Sequence, residues 1–216
     1  MEDLFSQLAN AVLAGDPGAA SRLAGQALQN GLDPLSCIEL GLTAGMNRVG
    51  RLFASGEYFL PDLIAAGEAM KSALAILEPA LGSGKQREVL GHVVLGTVEG
   101  DVHEIGKTLV ATMLTANGFR VTDLGVNVSA ADFLAAIKET GATLVGASAL
   151  LTTTMVKQRE LIGELEEAGL RSRVKVLVGG APVTADWAHQ IGADGYAEDA
   201  VGAVARAKEV LQLHTD

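Results

Sequence analysis

The segment Glu99–Gly106 contains an aspartate and a histidine two residues apart, Asp101 and His103. Histidine is the commonest nitrogen ligand of metal ions in proteins, and a metal-bound imidazole usually donates its second ring N–H to a carboxylate or a carbonyl. Asp101 is placed to be that partner, and Gly106 permits a close approach of a helix or a ligand to the backbone. The segment thus indicates a metal-binding histidine, although a polar loop whose aspartate caps the next helix would have the same sequence.

Two further segments place small and hydroxyl-bearing residues directly after apolar stretches. In the first, Ser148 could extend the aspartate–histidine pair by a hydrogen bond, whereas the run Thr152–Thr154 could equally cap a helix. In the second, Gly179-Gly180 has no side chains, which suits either a flat group lying against the backbone or a tight turn. Each segment is a weak signal alone, but three of them at the same edge of one sheet would indicate a binding site.

Several common kinds of site fit these residues poorly. The segment Gly146–Leu150 has leucine where the G-x-S-x-G nucleophile elbow of a hydrolase has its last glycine. Gly106-Lys107-Thr108 supplies the end of a phosphate-binding loop, but Asp101 stands where that motif needs its first glycine. The chain also lacks a cysteine pair or a His-x-x-x-His motif for zinc. A hydrolase, a phosphate-binding loop and a zinc site are therefore disfavoured.

The elements that must position these residues alternate between apolar, β-branched stretches and helical patterns. The predicted strands are Val89–Val98, Val121–Val126, Thr143–Leu150, Val174–Val178 and, more weakly, Gly195–Ala197. The predicted helices are Ile105–Asn117, Ala130–Thr140, Thr154–Ala168, Ala185–Ile191 and Val201–Leu211. This alternation is typical of a doubly wound α/β domain, flavodoxin- or Rossmann-like, with a five-stranded parallel sheet. Ligands of such sheets bind beyond the carboxyl ends of the strands, where the three segments fall.

The first part of the chain has the apolar spacing of helices instead. Breaks at Asp16-Pro17-Gly18, Asn30–Pro34 and Glu57–Pro61 divide it into four helices, which predicts a four-helix bundle over residues 1–82. A linker is predicted at residues 83–87, within the Pro- and Gly-containing stretch Pro79–Gln86. The α/β domain then occupies residues 88–216.

Composition and charge exclude several classes of protein. Of the 216 residues, 49% are hydrophobic and 19% are charged, which excludes a disordered chain. The net charge of −10 argues against nucleic acid or an anionic membrane as a partner. Cys37 is the only cysteine, so no internal disulfide can form, and its apolar helix favours a packing role. Without a signal peptide or a long apolar run, the chain is predicted to be cytoplasmic.

Three motifs follow one another along the chain: Asp101-x-His103-x-x-Gly106, Ser148-x-Leu150 and Gly179-Gly180. Together they resemble the signature of the cobalamin-binding domain of methionine synthase and of the corrinoid proteins of methyltransferase systems. The runs Ser148–Met155 and Val178–Trp187 are especially similar to methylamine-type corrinoid proteins, and the segment Val49–Pro61 is similar to the helical cap of the family. The resemblance covers nearly the whole chain.

The resemblance implies specific roles at the site. His103 would be the lower axial ligand of cobalt, in place of the cofactor's own dimethylbenzimidazole. Asp101 and Ser148 would form a relay that adjusts the proton and the basicity of this histidine, and the displaced nucleotide tail would enter a slot after strands one, three and four. The cofactor-binding residues implied are Asp101, His103, Gly106, Ser148, Leu150, Thr152, Gly179 and Gly180.

The function implied is that of a corrinoid methyl carrier, which is not catalytic alone. It would accept a methyl group on cobalt from a substrate-specific methyltransferase and deliver it to a second methyltransferase, cycling between cob(I)alamin and methylcobalamin. The donor would be a methylamine, a betaine, a methoxyaromatic compound or methanol, and the acceptor tetrahydrofolate or a thiol coenzyme. A reductive activator protein would restore cobalt that is oxidised accidentally.

The resemblance implies that the helical half acts as a cap over the corrin. The candidate cap contacts, which could also be ordinary core, are Met46, Val49, Phe53, Phe59 and Leu60. The cap would move about the stretch Pro79–Gln86 when a methyltransferase docks.

Two alternatives to the carrier role remain. A cobalamin-dependent sensor would be favoured by a DNA-binding segment, but the acidic helical half shows none. A mutase subunit would share the α/β domain but would leave the helical half unexplained.

Overall fold

The computed structural model describes residues 3–81 and 89–213. The chain divides into two compact units, Met1–Glu88 and Val89–Asp216, of which the first is helical and the second α/β. The linker predicted at residues 83–87 lies outside the described residues. Within those residues, no helix combines the length and the apolar composition that crossing a bilayer requires.

Four helical runs make up the first unit, as the sequence predicts. They are α1 (Leu4–Leu13), α2 (Pro17–Gln29), a run of α3 (Pro34–Ser36), a π-helical turn (Cys37–Thr43) and α4 (Ala44–Ala54), and finally α5 (Leu60–Leu77), which a 3-10 helix (Glu78–Ala80) extends. The π-helical turn is not predicted, because its wider hydrogen-bond ring uses the same residue types as an α-helix.

Aspartates define where the first three of these runs begin. The carboxylates of Asp3, Asp16 and Asp33 each accept a hydrogen bond from the backbone N–H three residues later, at 2.7, 2.9 and 3.1 Å. These N–H groups have no partner within the helix, so the caps satisfy donors that would otherwise be left over. Pro17 and Pro34 follow two of the caps at the first helical position, where a missing N–H costs nothing.

Small residues allow the helices of this unit to pack closely. Ala20, Ala24 and Ala27 line the buried face of α2 at spacings of four and three residues. On α4, a Cβ added to Gly45 would lie 2.6 Å from the carbonyl oxygen of Ala9 on α1. A side chain at that position would therefore force the two helices apart.

The five residues proposed to face the corrin differ in burial. Met46 and Val49 are fully buried, and Phe53 is half-buried. Phe59 and Leu60, where α5 begins, are exposed by 65% and 37%. Of the five, only these last two therefore present a large apolar surface.

The second unit is a parallel five-stranded sheet with helices between the strands. Its elements are β1 (His92–Thr97), α6 (Ile105–Ala116), β2 (Arg120–Asp123), α7 (Ala130–Thr140), β3 (Leu144–Ser148), α8 (Met155–Glu167), β4 (Lys175–Gly179), α9 (Ala185–Gln190), β5 (Gly195–Tyr196) and α10 (Ala200–Val210). The strand order is β2-β1-β3-β4-β5, with every pair parallel. The predicted fold class is confirmed, and the direction of winding reverses between β1 and β3, where such sheets bind ligands.

Most residues of the central strands β1, β3 and β4 are buried, which explains their apolar sequences. The strand β2 ends at Asp123, three residues before its predicted end. The reason lies in the backbone, because Gly125 and Asn127 adopt positive φ angles of 82° and 54° and turn the chain out of the extended conformation.

Candidate functional site

The segment between β1 and α6 brings the predicted aspartate and histidine together. His103 Nδ1 lies 2.7 Å from Asp101 Oδ1, and the backbone N–H of His103 donates to the same oxygen at 3.1 Å. An ionised carboxylate can only accept, so Nδ1 carries the imidazole proton and Nε2 keeps a lone pair. The His103 side chain is 47% exposed, and Nε2 is the ring nitrogen that the contact with Asp101 leaves for a metal ion.

The second carboxylate oxygen of Asp101 is held by the segment that follows β3. Asp101 Oδ2 accepts from the backbone N–H groups of Leu150 and Leu151, at 2.7 and 3.3 Å, and from the hydroxyl of Thr154 at 2.8 Å. The Asp101 side chain is fully buried. Two loops more than forty residues apart in sequence therefore meet at one carboxylate.

The hydroxyl that contacts Asp101 in the structure differs from the one that the sequence suggests. In the described part of the chain, the hydroxyl that donates to Asp101 is that of Thr154, not that of Ser148. Ser148 closes β3, where its carbonyl oxygen accepts from the N–H of Val98 at 3.0 Å, and the chain returns over Asp101 only after a further turn. Thr154 stands at the N-cap of α8 but makes no side-chain cap hydrogen bond, and Thr152 is exposed.

The hydrogen bonds determine the charge of Asp101. Burial raises the pKa of this carboxyl, but the hydrogen bonds from His103, Thr154 and the backbone of Leu150 lower it by more, so the pKa lies well below its ordinary value. Asp101 is therefore ionised at neutral pH. A carboxylate that accepts from a ring N–H fixes the tautomer and the orientation of a metal-binding imidazole.

Exposed apolar side chains occur in both segments that contact Asp101. Val102 and Ile105 are 70% and 61% exposed, and Leu150 and Leu151 are 39% and 43% exposed. We call these four residues the apolar collar, since both segments that supply them contact Asp101. Exposed apolar residues that cluster beside a polar group are typical of a ligand-binding surface. Of the collar, the sequence singles out Leu150 alone.

The three predicted glycines differ in the space around them, and therefore in why a side chain would or would not fit. A Cβ added to Gly106 would meet nothing within 4 Å, so close packing of α6 on the sheet does not require this glycine. A Cβ on Gly180 would lie 1.9 Å from the carbonyl oxygen of Ala149, and its φ is 122°. Gly180 O also accepts from Val183 N–H at 2.9 Å, which closes a tight turn. A Cβ on Gly179 would approach Ala197 O at 3.0 Å.

One buried residue at this edge of the sheet is missed by the sequence-based prediction. Gln158 Nε2 donates to the carbonyl oxygens of Ala147 and Gly179, at 2.9 and 3.2 Å, and its Oε1 accepts from the indole N–H of Trp187 at 2.9 Å. It thereby ties together the carboxyl ends of β3 and β4. The signal was present, because Gln158 occupies an apolar-face position of α8 together with Leu161.

Known proteins match both units of the chain. A B12 binding domain family model matches residues 91–205, and a second model of the same description matches residues 4–78. A trimethylamine corrinoid protein of Methanosarcina mazei is 46% identical over 213 residues, which cover 98% of each chain. The chain belongs to the B12-binding corrinoid protein family. A dimethylamine corrinoid protein of the same organism is 48% identical to this corrinoid protein over 210 residues, which cover 97% of it and 98% of the relative.

Solved structures agree with this assignment. A cobalamin-binding protein from Desulfitobacterium hafniense DCB-2 is 35% identical, with a TM-score of 0.79 and coverage of 97% of this corrinoid protein and 99% of that chain. A chain of the methanol:cobalamin methyltransferase complex MtaBC from Methanosarcina barkeri is 33% identical, with a TM-score of 0.87 and coverage of 99% and 81%. The predicted family and fold are thus confirmed.

Cobalamin is the cofactor of this corrinoid protein, and the site fits it. At His103, one ring nitrogen is held by a buried carboxylate, the side chain is 47% exposed, and the apolar collar belongs to the same two segments. A single protein nitrogen suits a metal that brings most of its ligands in a macrocycle, and the collar suits the apolar face of that macrocycle. A Cβ added to Gly106, three residues after His103, would meet nothing within 4 Å, so there is open space at this glycine.

Proposed function

We propose that this corrinoid protein is a methyl carrier, which accepts a methyl group from a substrate-specific methyltransferase and delivers it to a second one. The observation that carries the proposal is the His103 imidazole, tied at Nδ1 with Nε2 left for a metal ion. Relatives named for trimethylamine and dimethylamine, and a structural neighbour in a methanol:cobalamin methyltransferase complex, support it. When bound, cobalamin supplies the cobalt centre on which methyl groups are exchanged.

In this proposal His103 holds the cofactor through Nε2. Asp101 Oδ1 accepts from both the ring Nδ1–H and the backbone N–H of His103, so one oxygen fixes the ring's tautomer and its orientation. The protein thus offers a basic nitrogen in a set direction before the cofactor arrives. Such preorganisation lowers the entropic cost of binding.

Asp101 and Thr154 control the proton at this site. The ionised Asp101 carboxylate accepts the ring Nδ1–H, which leaves Nε2 as the nitrogen that would hold the cobalt. The N–H of Leu150 and the hydroxyl of Thr154 stabilise the ionised carboxylate. They would therefore support His103 as a ligand by keeping its carboxylate partner ionised.

The other predicted residues are assigned to cofactor contact. We place Gly106 beside the corrin, because no neighbouring side chain requires a glycine there. Leu150 and Thr152 are exposed on the loop after β3, and Ser148, Gly179 and Gly180 lie at or beside the ends of β3 and β4. The methyl donor, which we take to be a methylamine, would be bound by the partner methyltransferase and not by this chain.

Reconstitution with hydroxocobalamin tests the ligand assignment. The wild-type protein should give the absorption spectrum of a cofactor whose dimethylbenzimidazole is displaced and replaced by histidine. His103→Ala should lose the histidine ligand, whereas His189→Ala, at an exposed histidine of α9, should keep the wild-type spectrum. An unchanged spectrum in His103→Ala would rule out the assignment.

Methyl transfer tests the carrier role separately. With a methyltransferase from the same organism, trimethylamine or dimethylamine should convert the reduced, loaded protein to its methylated form, which visible absorption follows. His103→Ala should slow this conversion. A protein that binds cobalamin through His103 but exchanges no methyl group with methyltransferases of its organism would favour the alternative, a cobalamin-dependent sensor.

A further inference from the structure

Two neighbouring loops at the carboxyl edge of the sheet are joined by hydrogen bonds. We call residues 99–104, which carry His103, the histidine loop, and residues 123–128, between β2 and α7, the brace loop. Asn127 contacts the histidine loop twice. Its Oδ1 accepts from the N–H of Gly100 at 2.7 Å, and its own N–H donates to the carbonyl oxygen of Asp101 at 2.9 Å.

We propose that Asn127 is a positioning residue for the His103 ligand, and that the brace loop sets the direction of the imidazole. The inference rests on the proposed role of His103. Asn127 does not touch His103 itself and acts through Gly100 and Asp101. Its two hydrogen bonds reach the Gly100 N–H and the Asp101 carbonyl oxygen, which lie on either side of the Gly100–Asp101 peptide bond. The Asp101 carboxylate in turn holds the His103 ring, with Oδ1 at 2.7 Å from Nδ1.

The backbone of Asn127 supports this assignment. Its φ of 54° lies in the left-handed region, where asparagine is among the few non-glycine residues tolerated. Glycine would meet the backbone requirement equally well, but it would leave the N–H of Gly100 without this acceptor. Asparagine therefore satisfies two demands at once, a left-handed turn and a side-chain acceptor.

Thr97 provides a second connection between the two loops. Its side chain is fully buried, and its hydroxyl donates to the carbonyl oxygen of His103 at 2.8 Å. Its backbone N–H donates to Gly125 O at 3.0 Å, and its carbonyl oxygen accepts from Val128 N–H at 2.9 Å. The brace loop thus holds Thr97 in place, and Thr97 in turn holds the backbone of His103.

An ion pair anchors the start of the brace loop to the helix that follows the histidine loop. Lys107 Nζ donates to both carboxylate oxygens of Asp123, and Lys107 is only 4% exposed. Asp123 Oδ1 also accepts from Gly125 N–H at 2.9 Å. Asn127 therefore holds the first half of the histidine loop, and the ion pair holds α6, which follows the loop, to Asp123. These contacts are present without the cofactor, so the conformation of the histidine loop is set before cobalamin binds.

The test compares three variants of the full chain. Asn127→Gly keeps the left-handed backbone but removes the side-chain acceptor of the Gly100 N–H. Asn127→Asp keeps both the left-handed backbone and a side-chain acceptor. Gln212→Gly is the matched control, because Gln212 is the other described non-glycine residue with a positive φ, 57°. Each protein is titrated with hydroxocobalamin for Kd, its visible spectrum is recorded for histidine ligation, and the cofactor-free form is melted.

We expect Asn127→Gly to bind cobalamin about three- to tenfold more weakly, because the histidine loop loses a contact that orders it before the cofactor binds, and to show a smaller histidine-ligated fraction. Asn127→Asp should restore both values, and the melting temperatures of the cofactor-free glycine variants should stay near wild type. Wild-type affinity and ligation in Asn127→Gly would overturn the inference, as would a loss explained by a lower melting temperature. If His103→Ala keeps the wild-type spectrum, the ligand role fails, and the inference fails with it.

Discussion

The helical unit and the α/β unit bury different kinds of side chain. The buried polar or charged residues of the described chain are Thr97, Asp101, Lys107, Asn117, Thr154 and Gln158, all of them in the α/β unit. The buried side chains of the helical unit are apolar, apart from the thiol of Cys37. Four of the six polar residues, Thr97, Asp101, Thr154 and Gln158, lie where the carboxyl ends of β1, β3 and β4 meet the loops of the site.

Among the described residues, polar side chains are thus buried only in the α/β unit, mostly next to the site. A buried polar group destabilises the folded state unless it is hydrogen-bonded. Among the described residues, no buried side-chain nitrogen or oxygen lacks a partner. The α/β unit therefore uses a satisfied polar network to hold one imidazole, whereas the helical unit depends on close packing of small residues.

The largest effect is expected from Asp101→Ala. The substitution removes a fully buried carboxylate and with it the acceptor of the Leu150 N–H and of the His103 ring N–H, while the Thr154 hydroxyl keeps only the carbonyl oxygen of Leu151. We expect a loss of about 3–5 kcal/mol in the free energy of unfolding, measured by urea denaturation of the cofactor-free protein. The matched control is Asp62→Ala, which removes an exposed cap from α5 and should cost about 1 kcal/mol. Equal losses would contradict the comparison.

The effect of Asp101→Ala should also depend on pH. Because the folded protein holds the pKa of Asp101 below its ordinary value, the ionised carboxylate stabilises the fold above that ordinary pKa. This contribution is lost as the pH falls, since protons then bind the unfolded chain first. The stability difference between the wild type and Asp101→Ala should therefore narrow below about pH 4.

A pair of glycine substitutions separates the demands of the fold from those of the ligand. Gly180→Ala places a Cβ against the backbone of Ala149 at a positive φ, and should cost about 3 kcal/mol or more. Gly106→Ala meets open space in α6 and should change stability by less than about 1 kcal/mol. Only Gly106→Ala should weaken cobalamin binding without a loss of stability. A destabilised Gly106→Ala would instead show a packing role.

In the helical unit, Gly45→Ala should act without affecting the site. The added Cβ meets the backbone of Ala9, so we expect a loss of about 1–3 kcal/mol through overpacking. Trp187, the only tryptophan, lies in the α/β unit, so its fluorescence reports that unit while circular dichroism reports both. The substitution should lower the circular dichroism transition and leave the fluorescence transition and the histidine-ligated spectrum unchanged.

The smallest effect concerns which hydroxyl belongs to the relay. Thr154→Val keeps the shape of the side chain and removes its donor to Asp101, and should cost about 1–2 kcal/mol of stability. Thr154→Ser keeps the hydroxyl and should cost less. Ser148→Ala, the control at the position favoured by the sequence, should change stability by under about 0.5 kcal/mol. A larger loss in Ser148→Ala than in Thr154→Val would reverse the assignment.

The sequence by itself determined the architecture and the principal pair of the site. The helix Ala130–Thr140 has its predicted bounds, because local residues set both ends: Ser129 caps its start and Gly141, with a φ of 67°, ends it. The sheet follows from periodicity, which is also local. Asp101 and His103 could be paired from the sequence because two residues of one short loop cannot lie far apart.

Only the tertiary structure decided which distant partners complete that pair. Ser148 is the last residue of β3 and Thr154 follows it, and the turn between them determines which hydroxyl comes within 2.8 Å of Asp101. The contact between Asn127 and Gly100 spans 27 residues and depends on a left-handed backbone that no spacing indicates. Sequence periodicity places a residue on a face or at an edge, but a hydrogen bond requires tenths of an ångström, and that precision comes only from packing the whole sheet.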